Sequence, residues 1–303
     1  MLRRRLLHLI AALLLAAFVA AAHATPGVLV LGRISDDPQR HHDQLQPLLD
    51  YVVPRMADVG IREGRILMAR DASRMTSYLR HGRVDWVTET MASALDLAAR
   101  AGARPLLFTH RDGVARYHSV VVVREDSPIR GLADLAGRRL ALEHPQSTSA
   151  YLLPAMTLLD AGVPMEILPG PADRPRPGSV GYVFANTEEN IASWVLLGVV
   201  DAGAFSDGDL DDWRTAQPDA PALRVIAQSR SVPRAIEMVR GDLDPAVAAR
   251  LREVLVEAAA DPQAGPVLRR FFGTTGFDVP DATDLAEFRA LGERARHTRE
   301  AIE

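Results

Sequence analysis

Apolar positions along this chain fall into two alternating rhythms, short continuous runs and longer stretches at helical spacing. The run Val28 to Leu31 predicts a first strand, ending at the turn Gly32-Arg33-Ile34-Ser35-Asp36. Leu45, Leu48, Leu49, Val52, Val53 and Met56 then recur three and four apart, which predicts a helix with one buried face. Ile66 to Ala69 predicts a second strand. Asp71 is placed to cap a helix carrying Met75, Tyr78 and Leu79, with Gly82 as its stop. Val84 to Val87 is the next strand and Met91 to Ala101 the next helix. Strands alternating with helices at this interval indicate an α/β fold with a mainly parallel sheet covered on both faces.

The rhythm changes at Tyr117. The β-branched run within His118-Ser119-Val120-Val121-Val122-Val123 follows a polar stretch, Thr109 to Arg116, read as a loop. It predicts a strand crossing into a second lobe with its own series: strand Arg139–Leu142, a helix after Ser147, a strand near Val180–Phe184, a helix from Glu189 to Leu197 and strand Val200–Phe205. Pro169, Pro171, Pro175 and Pro177 exclude regular structure and make Pro169–Gly178 a surface loop. Leu223–Ala227 and Arg234–Val239 predict further strands, the second returning toward the first lobe. Val247, Leu251, Val254, Leu255 and Ala258 mark an amphipathic helix, and a final helix spans about Asp284 to Glu300. The expected division is residues 25–117 plus about 224–303 in lobe 1 and 118–223 in lobe 2.

One internal echo supports two similar lobes. Leu79-Arg80-His81-Gly82-Arg83-Val84-Asp85 and Val195-Leu196-Leu197-Gly198-Val199-Val200-Asp201 share an apolar, Gly, Val-Asp pattern. In each, a helix stops at glycine and a strand starts at Val-Asp. A polar loop is expected after each strand, Thr88-Glu89-Thr90 in one and Ser206-Asp207 in the other. Ligands bind such sheets at the carboxyl ends of the strands, so both loops are candidates for one cleft.

Candidate chemistry concentrates where the Arg139–Leu142 strand runs through Glu143-His144-Pro145-Gln146 into Ser147-Thr148-Ser149. Ser147 is a good helix cap, which leaves the N–H groups of Thr148, Ser149 and Ala150 free of intrahelical partners. Those donors, the positive helix end and up to three hydroxyls make a seat for a small anion. The same stretch equally describes a plain capped strand-to-helix turn.

Composition narrows the setting. Arg3-Arg4-Arg5, the apolar run Leu6 to Ala21 and Ala22-His23-Ala24 read as a signal peptide cleaved after Ala24, which exports the chain to the periplasm. Without those three arginines the formal charge of −4 becomes −7. An acidic chain with few aromatics and no basic run excludes nucleic acid as a partner. No cysteine occurs, which excludes disulfides, thiol nucleophiles and cysteine-ligated metals. No cofactor or metal is expected. Adjacent His41 and His42 point about 100° apart on a helix and read as a solvated helix start. His110, His118 and His144 lack the i, i+4 partner of a zinc helix, and no G-x-S-x-G elbow is present. Ser147 near His144 leaves a serine hydrolase as a remote alternative. Trp86, Trp194 and Trp213 are expected in the core, and Phe205 as a pocket wall.

Ser147-Thr148-Ser149-Ala150-Tyr151-Leu152-Leu153-Pro154 resembles the Ser-Thr-Ser-Gly-aromatic-Leu-x-Pro motif of periplasmic phosphate-, phosphite- and phosphonate-binding proteins. Leu45-Gln46-Pro47-Leu48-Leu49-Asp50-Tyr51, Gly82-Arg83-Val84-Asp85-Trp86, Tyr117-His118-Ser119-Val120, Leu132-Ala133-Asp134-Leu135-Ala136-Gly137 and Val200-Asp201-Ala202-Gly203 agree in kind and order. The resemblance covers nearly the whole mature chain. It implies a two-lobed type II periplasmic binding protein, monomeric, not an enzyme, that delivers a small ligand (phosphonate, phosphite, phosphate or aminoalkylphosphonate) to an ABC permease. The alternative with the same clamp is a sensing module for a membrane histidine kinase. The resemblance assigns the ligand oxygens to Ser147, Thr148 and Ser149. Arg33, Thr88, Glu89, Thr90, Glu188, Ser206 and Asp207 are the further candidates around the ligand. Two departures stand out: the family's pocket histidine falls at Glu188, and its tyrosines fall near Glu89 and Ala72. A carboxylate facing a dianion repels it by several kcal/mol at intermediate dielectric, so these positions fit a ligand that also carries a cation, or one that is not a phosphonate at all. Both glutamates also fit plain solvated loop or helix-start positions.

Overall fold

A computed structural model describes residues 27–218 and 222–302, so the expected signal peptide lies outside the described residues. In chain order the strands are β1 (Val28–Ile34), β2 (Glu63–Ala69), β3 (Trp86–Glu89), β4 (Arg104–Arg111), β5 (Arg116–Tyr117), β6 (Ser119–Arg124), β7 (Arg139–Leu142), β8 (Met165–Ile167), β9 (Val180–Phe184), β10 (Ala202–Ser206), β11 (Leu223–Gln228), β12 (Val232–Pro233), β13 (Ala235–Val239) and β14 (Thr274–Asp278). The α-helices are α1 (Pro38–Val52), α2 (Ala72–Arg80), α3 (Met91–Ala101), α4 (Leu153–Asp160), α5 (Glu188–Leu196), α6 (Asp207–Ala216), α7 (Pro245–Ala260), α8 (Gly265–Arg270) and α9 (Ala282–Ile302). The chain divides into two compact units. One holds the chain up to Thr88 with Arg100–Arg104 and Met238–Phe272; the other holds Glu89–Ala99, Pro105–Glu237 and the chain from Gly273.

In the first unit β1 pairs in parallel with β2 on one side and β3 on the other, with Leu31 opposite both Ile66 and Trp86. The helical stripe of α1 buries Leu45, Leu48, Leu49 and Val52. Gly64 explains how closely this helix lies on β2, because a Cβ there would stand 2.6 Å from Leu49 Cγ. Asp37 and Asp71 cap α1 and α2, accepting the N–H groups of Arg40 at 3.1 Å and Arg74 at 2.7 Å.

The second unit contains a six-stranded sheet in the order β11-β6-β10-β7-β9-β8. β6 is antiparallel to both β10 and β11, while β10, β7, β9 and β8 run parallel. The valine run of β6 is continuous because both faces are covered: Val121 and Val123 enter one core with Leu140, Leu142 and Tyr151. Val120 and Val122 enter the other with Ala141, Ile191 and Phe205. A Cβ on Gly203 would lie 2.4 Å from Ile191 Cγ2, so α5 sits directly on β10.

The Gly, Val-Asp echo is a structural repeat. Gly82 and Gly198 both take left-handed φ values, +62° and +69°, where a side chain would be strained. Asp85 N–H donates to Val30 O at 3.0 Å and its Oδ2 accepts Val30 N–H at 2.9 Å. Asp201 repeats both bonds on Arg139, at 3.0 and 2.9 Å. In each unit the aspartate thus clamps both backbone groups of the residue on the neighbouring parallel strand. Each also meets an arginine, Arg240 at 2.9 Å for Asp85 and Arg139 at 3.2 Å for Asp201.

Four expectations need correction. Thr109, His110 and Arg111 are strand, not loop: Thr109 Oγ1 donates to Glu237 at 2.9 Å and His110 lies 2.7 Å from Asp278. Partners more than a hundred residues away satisfy this polar stretch, so it reads locally as a loop. Thr88 and Glu89 likewise end β3 and are buried. Ser206 and Asp207 form a strand end and helix start rather than a loop. His41 is half-buried, with Nδ1 2.7 Å from Ser35 Oγ and its ring against Phe272, whereas His42 is exposed.

Candidate functional site

Ser147 caps the turn after β7 as expected, its Oγ accepting the Ala150 N–H at 3.0 Å. That bond removes Ala150 from the expected free donors and leaves Thr148 and Ser149. The first turn is wider than an α-turn: Leu152 N–H reaches back five residues to Ser147 O at 3.1 Å, and Leu153 N–H reaches Thr148 O. Pro154 has no N–H to offer Ala150 O, and that carbonyl accepts from Glu143 N at 3.0 Å instead. The extra residue in the turn spreads the hydroxyl-bearing positions while α4 proceeds normally from Leu153.

Around this turn a hydroxyl network is built from distant segments. Thr148 Oγ1 accepts the N–H of Ala92 at 2.8 Å, so it caps the start of α3 from 56 residues away. Thr90 leads into that helix, its carbonyl taking the Ala94 N–H at 2.9 Å. Ser119 Oγ donates to Ser149 O, and Ser119 N–H donates to Ser229 Oγ at 2.9 Å. Tyr117 is buried, with its hydroxyl beside those of Thr148 and Ser149. Burial raises its pKa, against the opposing effects of Arg234 and the two hydroxyls.

Carboxylates stand beside the network. Ser206 and Asp209 form a reciprocal cap at the start of α6, at 3.0 Å and 3.2 Å. Asp207 accepts the His118 N–H at 3.1 Å. Glu188 is the first residue of α5, and its pKa is pushed up to about 7 by burial first, then by Glu143 and Asp209. His144 is raised by its contact with Glu143 at 3.2 Å. Glu188, Glu189, Asp209 and Asp212 line a cavity of about 410 Å³ between α5 and α6, walled by Phe205 and Trp213. Phe205 thus meets its expectation, while Trp213 is a cavity wall rather than a core residue.

Ser147, Thr148, Ser149, Glu188, Ser206 and Asp207 therefore gather at the carboxyl ends of β7, β9 and β10. Arg33 and Thr88 lie together in the first unit, with Arg33 Nη1 donating to Thr88 O at 2.8 Å. Arg33 also lies 4.4 Å over Phe272, whose φ of +52° is left-handed and strained for an aromatic residue. Ala72, where a family tyrosine was expected, is a buried helix start. The sequence reading missed Tyr117, Ser119, Asp209 and Ser229. Asp209 carried a signal, the Ser-x-x-Asp capping pattern after an apolar run; Ser229 carried none.

The model of a family described as "ABC transporter, phosphonate, periplasmic substrate-binding protein" matches residues 34–285. The chain belongs to this family. It is a substrate-binding component of an ABC importer, with the mixed α/β, two-lobed type II fold of periplasmic binding proteins. The family is periplasmic, and among the described residues no helix is long and apolar enough to cross a membrane. The structure of XAC2383 from Xanthomonas citri bound to chloride is 49% identical, covers 91% of this chain and 100% of its own, and superposes with a TM-score of 0.85. The phosphonates-binding periplasmic protein of Escherichia coli is 25% identical over 91% of this chain and 80% of its own length. PhnD1 of Prochlorococcus marinus with methylphosphonate, 16% identical over 90% of this chain and 99% of its own, has a TM-score of 0.65 and shows the shared fold.

Proposed function

We propose that this binding protein captures a small oxyanion of the phosphonate class (phosphonate, phosphite, phosphate or aminoalkylphosphonate) on the Ser147-Thr148-Ser149 turn and delivers it to an ABC permease, doing no chemistry on it. The observation that carries this reading is the Thr148 hydroxyl. It accepts the α3 N–H at 2.8 Å, which leaves its own proton to donate to a ligand oxygen. Two helix starts thereby supply donors at one point, and helix starts favour negative charge. Ser147 Oγ is engaged as a cap, which favours a holding role over a nucleophilic one.

Arg33, Thr88, Glu89, Thr90, Glu188, Ser206 and Asp207 complete the proposed contacts. Lobe 1 is proposed as residues 25–117 plus about 224–303 and lobe 2 as 118–223. Strands β6 to β10 of the second sheet, which run between Ser119 and Ser206, support this, whereas β11 pairs with β6 and carries the second lobe on to Gln228. The mature protein is proposed to start at Thr25 and to be a periplasmic monomer. XAC2383 from Xanthomonas citri, 48% identical in a second structure covering 91% of this chain and 100% of its own, was solved bound to ATP. Nucleotide phosphates therefore belong among the ligands to test. Calorimetric titration of residues 25–303 with phosphate, phosphite, methylphosphonate, aminoethylphosphonate and ATP tests the proposal. Binding of at least one with loss in Thr148→Val is expected, and failure of all five to bind refutes it.

A further inference from the structure

We propose that Arg234 supplies the fixed positive charge of the anion seat, so that the group held there is an oxyanion recognised by charge as well as by hydroxyl donors. This inference rests on the seat proposed above and adds a residue from outside the turn. The chain contains no lysine, so its permanent side-chain cations are all arginines. Arg234 stands between β12 and β13, its backbone fixed by donation from its N–H to Ala115 O at 2.9 Å. It is half-buried, and its guanidinium lies 5.0 Å from the centre of the Tyr117 ring. The hydroxyl of that buried tyrosine lies beside those of Thr148 and Ser149. One aromatic side chain therefore spans from the guanidinium to the seat.

The charge has no other assignment among the described residues. Neighbouring Arg116 bonds to Ser231 at 3.2 Å and lies 3.5 Å from Glu287. Among the described residues Arg234 has its ring contact with Tyr117 but no ion pair and no side-chain hydrogen bond. The carboxylates beside the seat are engaged elsewhere, Asp207 with the His118 N–H and Asp209 with Ser206. A guanidinium cannot shed its charge, and holding it partly out of water without an anion is unfavourable. The hydroxyl and N–H donors of the seat carry only partial charges, and Glu188 and Asp209 oppose an anion. An oxyanion at the seat would relieve both conditions together. This also explains how a pocket beside several carboxylates holds an anion.

The test compares wild-type protein, Arg234→Gln, Arg234→Lys and Thr148→Val by calorimetry with methylphosphonate and inorganic phosphate at two ionic strengths. A fixed unit charge one aromatic side chain away from the bound group is worth about 10- to 30-fold in affinity at intermediate dielectric. Arg234→Gln is expected to lose that factor and to show a flatter salt dependence, while Arg234→Lys retains most of the affinity. A purely structural role would not distinguish lysine from glutamine by ionic strength. Affinity and salt dependence unchanged in Arg234→Gln, with Thr148→Val still impaired, overturn the inference and leave the seat intact. Wild-type binding of neither probe refutes both. Should Arg234→Gln fail to fold, equal salt slopes in wild type and Arg234→Lys with equal affinities support the charge, and a lysine variant as weak as Thr148→Val counts against it.

Discussion

Glu188 offers a perturbation whose size follows from its surroundings. Its carboxyl sits at the start of α5 with a pKa of about 7 against an ordinary 4.5, chiefly through burial and then through Glu143 and Asp209. The folded protein therefore holds this proton to higher pH than the unfolded chain does. Stability contributed by the neutral acid is complete below pH 4.5 and is lost as pH rises through about 7. The whole gap corresponds to about 3 kcal/mol, since each factor of ten in proton affinity is ~1.4 kcal/mol. The carboxyl is partly exposed, and solvent screening reduces the expected figure to about 1–2 kcal/mol. Loss of a negative charge at a helix start offsets about 0.3 kcal/mol of that, with Glu189 still in place. Glu188→Gln is thus expected to raise unfolding stability by about 1 kcal/mol at pH 8 and to change it little at pH 5. Urea denaturation of both proteins at the two pH values reads this directly. An equal effect at pH 5 and pH 8 would refute the assignment of the raised pKa to Glu188.

Three further outcomes follow from the packing. Asp85→Ala removes the buried partner of Arg240, leaving it the exposed Asp242, and also leaves the Val30 N–H unpaired, so a loss of about 2–4 kcal/mol is expected in denaturant unfolding. Asp201→Ala, at the more exposed copy of the same clamp, is expected to cost about 1–3 kcal/mol, and the reverse order would contradict the equivalence drawn between the units. Gly203→Ala forces a methyl against Ile191 and should destabilise by about 1–3 kcal/mol, with Tm as the check; a neutral substitution would show that α5 can move off β10.

Much of the fold was legible because burial imposes periodicity. The α1 stripe, the valines of β6 and the Asp71 cap all follow from local pattern. The Gly, Val-Asp echo was legible for a stricter reason. A left-handed helix stop and an aspartate that clamps the next strand leave few alternatives at those positions. The site was only half readable. Its capping serine is a local device, but the acceptor role of Thr148 depends on Ala92, and the link through Tyr117 depends on the fold. Thr88, Glu89 and Thr109 misled because buried polar residues in strands look like loop residues until their distant partners are known.

The central claim is that the Thr148 hydroxyl, which caps α3 on one side by accepting the Ala92 N–H, donates to a bound oxyanion on the other. Thr148→Val removes that donor and also strands the Ala92 N–H, whereas Thr148→Ser keeps both functions. The decisive measurement is calorimetric affinity for methylphosphonate in wild type, Thr148→Val and Thr148→Ser. The account predicts a loss of about 1–3 kcal/mol in the valine variant, the range for a hydrogen bond to a charged group, and near wild-type binding in the serine variant. Equal affinity in all three proteins would contradict it.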